Sequence, residues 1–382
     1  MAQYPELTFG MQAVRKAGEQ LKGKLLVGAD GGISEAHMVF TIANSWRDSH
    51  FLPMRSIFLS TTYKLRKLKI GGDMAARPKR MASIRRKLRE SSTKLDQMQD
   101  LGGCRAILDD IAGVHALLDQ IRHDFPHGIR KEWPYIDQPK LDGYRSHHVV
   151  FHFNPRQRAQ DIYEGRRIEL QVRTRLQHSW ATAVEAVGLF NGEDLKHHHG
   201  SPDWLRLFEL VSAEFAHVEG CPIPEGVPER QLRIAEIRDL NARLGAVALL
   251  ENIRAATDFA ENFVYERGKY FLIIYNEDHT VEVENFSDPM QVAARLATLE
   301  REIEDGKTRS KAVVVEVDKI ENLIRTYPNY FGDVGLFVQN LRRIIDGKEA
   351  QEFTLLPQKV VRPRPEERPD PRYLIRRYDR WS

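Results

Sequence analysis

RRIELQVRTR, Arg166 to Arg175, alternates. Ile168, Leu170 and Val172 fall on one side of an extended strand, as a face packed on a core requires. Arg167, Glu169, Gln171 and Arg173 fall on the other side. Such a polar row is either a solvated sheet face, the common case in antiparallel sheets, or the floor of a site. The neighbouring segments decide how this strand is used. Before it, Ser146–Phe153 (SHHVVFHF) reads as a second strand, joined through NPRQRAQDIYEG as in a hairpin. After it, TRLQHSWATAVEAVGLF reads as a helix. Upstream, MQDLGGCRAILDD predicts a turn into a short buried strand from Cys104 to Leu108. Val114, Leu117, Leu118, Ile121 and Phe125 then recur at helical spacing. Pro78 suits the first turn of a helix running to about Glu90. Further helices are expected near residues 11–22 and 36–47. The order helix, strand, helix, strand, strand, helix predicts an α+β fold in which helices flank a mixed β-sheet.

Past Gly220 the pattern changes. GCPIPEGVPE marks a boundary, and Ile237, Leu240, Leu244, Val247, Leu250 and Ile253 form one stripe of a long helix. KYFLIIYNEDHTVEVENF reads as a hairpin turning at NEDH, followed by a helix started by Pro289, a strand at KAVVVEVD and a helix at VGLFVQNLRRII. The expected organisation is a helical N-terminal extension (1–60), a mixed-sheet domain (61–220), a linker and long helix (221–263), a small α+β unit (264–347) and a Pro/Arg-rich tail (348–382).

Length allows two domains, and 42% hydrophobic with 29% charged residues fits an ordinary globular chain. AVALL and YFLII are too short to cross a bilayer, and the first residues lack the apolar core of a signal peptide. Two cysteines, Cys104 and Cys221, cannot build a disulfide framework, so a reducing, cytoplasmic setting without membrane attachment is expected. The net charge of +3 conceals a basic block: residues 55–90 hold twelve Lys or Arg against Asp73 and Glu90. Such a block either meets phosphate or forms a solvated helix face, and Arg85, Arg86 and Arg89 are read as the latter.

Unusual polar residues gather at strand ends and loops before residue 180. Arg77 and Lys79 flank a helix N-terminus, where backbone N–H groups also attract anions. Asp100 precedes the strand that carries Arg105. Lys140 and Tyr144 lie in PKLDGYRSHH, with His148 opening the next strand and Glu169 on the polar row. If these strands are neighbours, two carboxylates face each other inside a rim of cations, the parts needed to hold Mg²⁺ and move a phosphoryl group. His197, His198 and His199 sit in a polar loop with no partner of suitable spacing, so zinc is not expected there. Cys104 is read as packing.

RPKRMASIRRKL, DLGGCRAIL, PKLDGYRSHH and IELQVRTRLQHSWA, in that order and spacing, resemble the synthetase domain of the RelA/SpoT alarmone-synthetase family over about residues 60–215. The resemblance implies a nucleotidyltransferase-like fold and transfer of the β,γ-pyrophosphate of ATP, with Mg²⁺, to the 3′-hydroxyl of GDP or GTP. It implies Arg77 and Arg105 sandwiching the donor adenine, and Lys79 and Lys87 holding donor phosphates. Asp100 and Glu169 become the metal-binding and catalytic pair, Glu169 accepting the hydroxyl proton. Tyr144 stacks on the acceptor base, Lys140 and His148 contact acceptor phosphates, and Gln171 and Arg173 support the pair.

Two departures stand out. Pro134-Tyr135-Ile136 replaces the family's common Asp-Tyr-Ile, and Asp142 replaces a common Asn, adding negative charge that disfavours a 5′-polyphosphate acceptor. Some toxic relatives modify the 3′ end of tRNA instead, so a tRNA-directed pyrophosphokinase restrained by its C-terminal domain is the alternative. A binding protein that kept only the fold is a third reading. The family's N-terminal hydrolase needs more than the sixty residues before the resemblance, so synthesis without hydrolysis is expected. Oligomeric state is not readable from the sequence.

Overall fold

The computed structural model describes residues 8–23, 35–79, 81–191, 195, 200–263, 270–275, 281–304, 311–316 and 330–351. The chain begins with helices α1 (Met11–Gln20), α2 (Glu35–Asp48) and α3 (Phe51–Leu68), then strand β1 (Gly72–Pro78) and helix α4 (Met81–Glu90). Next come β2 (Gly102–Leu108), α5 (Ile111–His123), β3 (Gly128–Pro134), β4 (His147–His152), β5 (Arg167–Thr174), α6 (Arg175–Asn191) and α7 (Pro202–Val218). The C-terminal part holds α8 (Arg230–Leu244), α9 (Ala246–Phe263), β6 (Tyr270–Tyr275), β7 (Val281–Phe286), α10 (Pro289–Glu304), β8 (Lys311–Glu316) and α11 (Tyr330–Ile345).

The fold is α+β, built on a mixed five-stranded sheet of order β1-β2-β5-β4-β3, in which only β2 and β5 are parallel. The alternation in β5 sets its two faces. Ile168, Leu170 and Val172 are fully buried. They pack with Cys104 and Ala106 of β2 and Val149 and Phe151 of β4 onto apolar residues of α3 and α5. Burial of each such aliphatic side chain contributes about 1.5–3 kcal/mol, enough to pin the strand register. Helix α5 starts where Asp110 Oδ1 accepts the Gly113 N–H at 2.7 Å, an N-cap. The opposite face, carrying Glu169, Gln171 and Arg105, is left for the site.

A second apolar cluster joins Val14 and Ala17 of α1, Leu21 just after it and Trp46 of α2 to Ile84 and Leu88 of α4 and to Leu95, Met98 and Leu101. Close approach is possible because α1 carries Gly18, where a Cβ would lie 2.7 Å from Leu95 Cβ. The N-terminal helices thus buttress α4 and the segment leading to Asp100.

Several expectations change. Pro78 ends β1 rather than opening a helix, and α4 begins at Met81; a proline without an N–H is tolerated at a sheet edge. β3, also absent from the sequence reading, is the other edge. Helix α3 crosses residue 60 and packs beneath the sheet. The single long helix after residue 230 is two, broken at Gly245 with φ of +59°. Although 264–347 reads as one unit, Val334, Phe337, Val338 and Leu341 of α11 join a cluster with Val184, Phe208, Phe215 and Leu250 from α6, α7 and α9. The small sheet, β7-β6-β8, packs Leu272 and Ile274 on Val292 and Leu299 of α10. His197–His199, the NEDH turn and the tail beyond residue 351 lie outside the described residues. No described helix is long and apolar enough to cross a membrane.

Candidate active site

Sheet register brings the polar residues of four separate segments together. Gly103 of β2 pairs with both Arg77 of β1 and Glu169 of β5, and Gln171 pairs with both Arg105 of β2 and His148 of β4. Paired residues point to the same face, so Arg77, Arg105, Glu169, Gln171 and His148 share one surface. Gly103 leaves a gap in the middle of that floor.

Asp100 approaches from the turn before β2. Its Oδ2 accepts from Lys79 Nζ at 2.8 Å and from Lys87 Nζ at 3.0 Å. Burial pushes the Asp100 carboxyl up, but the charges and hydrogen bonds of Lys79 and Lys87 outweigh it and leave the group below its ordinary value. Among the described residues the other oxygen, Oδ1, is buried and has no hydrogen-bond partner. Glu169 is likewise a carboxylate. Burial pushes it up, and the hydrogen bonds from His148 and Gln171 with the His148 charge bring it below its ordinary value, against an opposing contribution from Asp100. The two carboxylates are therefore near enough to sense each other.

Two cavities meet at this pair. One, of about 540 Å³, is lined by Lys87, Arg130, Trp133, Tyr135, Lys140, His148 and both carboxylates. The other, of about 360 Å³, is lined by Arg77, Lys79, Gly103, Arg105, Gln171 and the same two carboxylates. An orphaned buried carboxylate oxygen, on a residue that lines the same two cation-lined cavities as a second carboxylate, fits a hard divalent cation shared with phosphate oxygens. No group of three His, Cys, Asp or Glu side chains suited to a metal occurs among the described residues. Mg²⁺ does not need one, because it takes one or two carboxylates together with phosphate and water.

Most residues singled out in the sequence converge here, with three exceptions in detail. Tyr144 does not line either cavity. Its hydroxyl lies 2.8 Å from His148 Nε2, and its ring is packed edge-on to Trp180 with centroids 6.3 Å apart. Arg173, on the same face of β5 by alternation, is buried against α6, with Nη2 2.5 Å from His178 Nδ1. Asp142 Oδ1 accepts the Tyr144 N–H at 2.8 Å, a local turn bond that Asn makes equally well, and Asp142 is absent from the cavity lining. Gly143 fixes this loop with φ of +84°, where a Cβ would lie 2.9 Å from Ser212 Cβ.

Tyr135, Trp133 and Arg130 line the larger cavity and were not assigned from sequence. Lys140 Nζ sits 4.5 Å from the Tyr135 ring centroid and 5.2 Å from that of Tyr144. The Tyr135 hydroxyl is pushed up by burial and then by the Glu169 charge. The one available signal was Tyr135, noted only as part of a departure from the family pattern.

Residues 76–191 match the family model described as "Region found in RelA / SpoT proteins". A GTP pyrophosphokinase of Photobacterium angustum (strain S14) is 29% identical over 109 residues, 28% of this chain and 13% of that protein. The GTP pyrophosphokinase of Escherichia coli (strain K12) is 26% identical over 153 residues, 38% of this chain and 19% of that protein. The matches thus span under a fifth of the length of these curated relatives. Among solved structures, small alarmone synthetase 2 from Bacillus subtilis is 20% identical, with 46% of this chain and 91% of that one covered and a TM-score of 0.38.

Proposed function

We propose that this chain, whose residues 76–191 form a RelA/SpoT-family region, is a pyrophosphokinase that moves the β,γ-diphosphate of ATP to the 3′-hydroxyl of a guanosine nucleotide. One observation carries the reading: Asp100 and Glu169 line both of two basic cavities, so each cavity can deliver a nucleotide to the same carboxylate pair. In-line transfer between two nucleotides needs that arrangement, with position and electrostatics supplying most of the catalysis.

The smaller cavity takes the donor. Arg77 and Arg105 offer flat guanidinium planes to the adenine, and Lys79 stands at the phosphates. Lys87, which shares Asp100 Oδ2 with Lys79, faces the larger cavity and bridges toward the acceptor. Asp100 Oδ1 and Glu169 would hold Mg²⁺, which neutralises charge on the β- and γ-phosphate oxygens when bound. Glu169 accepts the proton of the 3′-hydroxyl as its oxygen forms the bond to the β-phosphorus. The bond from the β-phosphorus to the oxygen bridging to the α-phosphorus breaks, and AMP leaves with that oxygen. Asp142 Oδ1 accepts the Tyr144 N–H and Asp142 lines neither cavity, which supports a 5′-polyphosphate acceptor despite the charge it carries.

An acceptor-resolved assay tests this. ATP labelled at the γ-phosphate, with Mg²⁺, is offered GDP, GTP, adenine nucleotides or deacylated tRNA separately. Label on GDP or GTP is expected; label on tRNA alone would replace the guanosine reading with a translation-blocking one.

A further inference from the structure

We infer that Arg145 and Ser212 are positioning residues for the acceptor: they fasten the loop between β3 and β4, which carries Lys140 and Tyr144, to helix α7. The inference rests on the pyrophosphokinase reading and deepens it, because it says what holds the acceptor side of the site in place.

The loop has little hold of its own. Residues 139–146 belong to no strand or helix, so the sheet ladder does not fix them. The Gly143 N–H donates to Lys140 O at 3.0 Å and the Tyr144 N–H to Asp142 Oδ1 at 2.8 Å, and both bonds stay inside the loop. Yet Lys140 lines the larger cavity, with Nζ 4.5 Å from the Tyr135 ring centroid and 5.2 Å from that of Tyr144. A binding group on unsupported backbone loses affinity in proportion to the time it spends elsewhere.

Helix α7 supplies the support. Ser212 Oγ donates to Gly143 O at 2.5 Å and accepts from Arg145 Nε at 3.2 Å, so one hydroxyl ties two loop residues. Arg145 Nη2 donates to Pro222 O at 2.5 Å, past the end of α7. Both side chains belong to residues only 2% exposed, and neither lines either of the two cavities. They therefore act on the acceptor through the loop and not by touching it. Burial lowers the Arg145 pKa, with the Glu219 charge opposing it. Glu219 in turn accepts from Thr174 Oγ1 and, at 2.8 Å, from Gln177 Nε2, where β5 passes into α6. The segment leaving α7 thus braces both the acceptor loop and the end of the strand that carries Glu169. Hydrogen bonds so well buried are costly to break, because the partner left behind has no water to turn to.

The test is steady-state transfer and calorimetry on Ser212→Ala, Arg145→Lys and Thr61→Ala, with thermal melting to show that each folds. Thr61 is the control: a buried helix hydroxyl whose bond, to Ile57 O at 2.8 Å, stays within α3. Ser212→Ala frees Gly143 O, and Arg145→Lys keeps the charge but loses the fork that reaches both Ser212 and Pro222. If the anchored loop falls to about a tenth of the population, the acceptor KM and the Kd for GDP each rise by about tenfold, with the KM for ATP and kcat within about twofold. Thr61→Ala is expected to lower the melting temperature and leave all of these constants unchanged. An unchanged acceptor KM in either folded loop variant would overturn the inference. So would an equal rise in the KM for ATP, or an equal rise of the acceptor KM in Thr61→Ala. Calorimetry separates the two levels of the account. A wild type that binds GDP without transferring diphosphate would defeat the pyrophosphokinase reading, and the loop variants would still be compared by their Kd; a wild type that binds no GDP would defeat the inference.

Discussion

Adjacent glycines, Gly102 and Gly103, open β2 and face opposite sides of the sheet, so the same substitution is expected to have opposite effects. A Cβ at Gly102 would lie 2.7 Å from Ile168 Cδ1, 3.3 Å from Met54 Cβ and 3.4 Å from His50 Cβ, inside the core. A Cβ at Gly103 would meet only the Arg77 carbonyl oxygen, at an ordinary 3.7 Å. Neither glycine has a left-handed φ, so backbone strain does not enter. Overpacking costs about 1–3 kcal/mol, and loss of unfolded-chain freedom returns about 0.4–1 kcal/mol. Gly102→Ala is therefore destabilised by about 1–2 kcal/mol, whereas Gly103→Ala is as stable as the wild type or more so by up to about 1 kcal/mol. Function should follow the other way. Gly103→Val projects a branched side chain into the 360 Å³ cavity between Arg77 and Glu169, and the KM for ATP should rise by about tenfold, equivalent to about 1.4 kcal/mol. Urea unfolding and steady-state kinetics on the three variants supply both readings. Equal stability of the two alanine variants would refute the face assignment; an unchanged KM for ATP in a folded Gly103→Val protein would refute the donor assignment of the smaller cavity.

Burial lowers the His50 pKa from 6.5 to about 3, with the Arg166 charge adding to it against a backbone bond to Trp46. The unfolded chain therefore binds a proton that the folded one refuses. Stability from this site is complete above pH 6.5 and is lost as pH falls toward the folded value, by about 2 kcal/mol at about pH 5; His50→Gln should show a shallower fall in melting temperature over that range. Glu214 and Arg233 form a buried pair at 2.6 Å, with side chains 0% and 3% exposed. Glu214→Ala should cost about 3–5 kcal/mol in urea unfolding, and pairing Glu214→Leu with Arg233→Met should recover most of it. Arg105→Lys keeps the charge but loses the plane, and its KM for ATP should rise by about tenfold with the melting temperature retained.

The interior of the sheet was legible because one face of its strands is apolar and buried at period two. β5 and β4 carry Leu170, Val172, Val149 and Phe151 at period two, and α5 carries its stripe at helical spacing. The edges were not legible for the converse reason. GDMAARP and GIRKEWP are exposed or half-buried along most of their length, so neither needs an alternating pattern, and both are blunted by charge and proline as edge strands commonly are. Losing β3 from view also hid Trp133 and Arg130. The break between α8 and α9 was masked because the apolar stripe continues through Gly245 at the same spacing. Asp100, Glu169 and the lysines were legible from residue type and order, whereas the contact of the Tyr144 hydroxyl with His148 depended on packing that residue type does not show.

The central claim is that one carboxylate pair joins two nucleotide cavities for diphosphate transfer. Its most direct test is the stoichiometry of AMP released to diphosphate transferred, measured with Mg²⁺, ATP and GDP for the wild type and for Asp100→Ala and Glu169→Ala. The account predicts one AMP for each diphosphate gained by the acceptor in the wild type, and loss of both products in either variant with folding retained. AMP formed without a labelled acceptor, or full transfer in either variant, would contradict it.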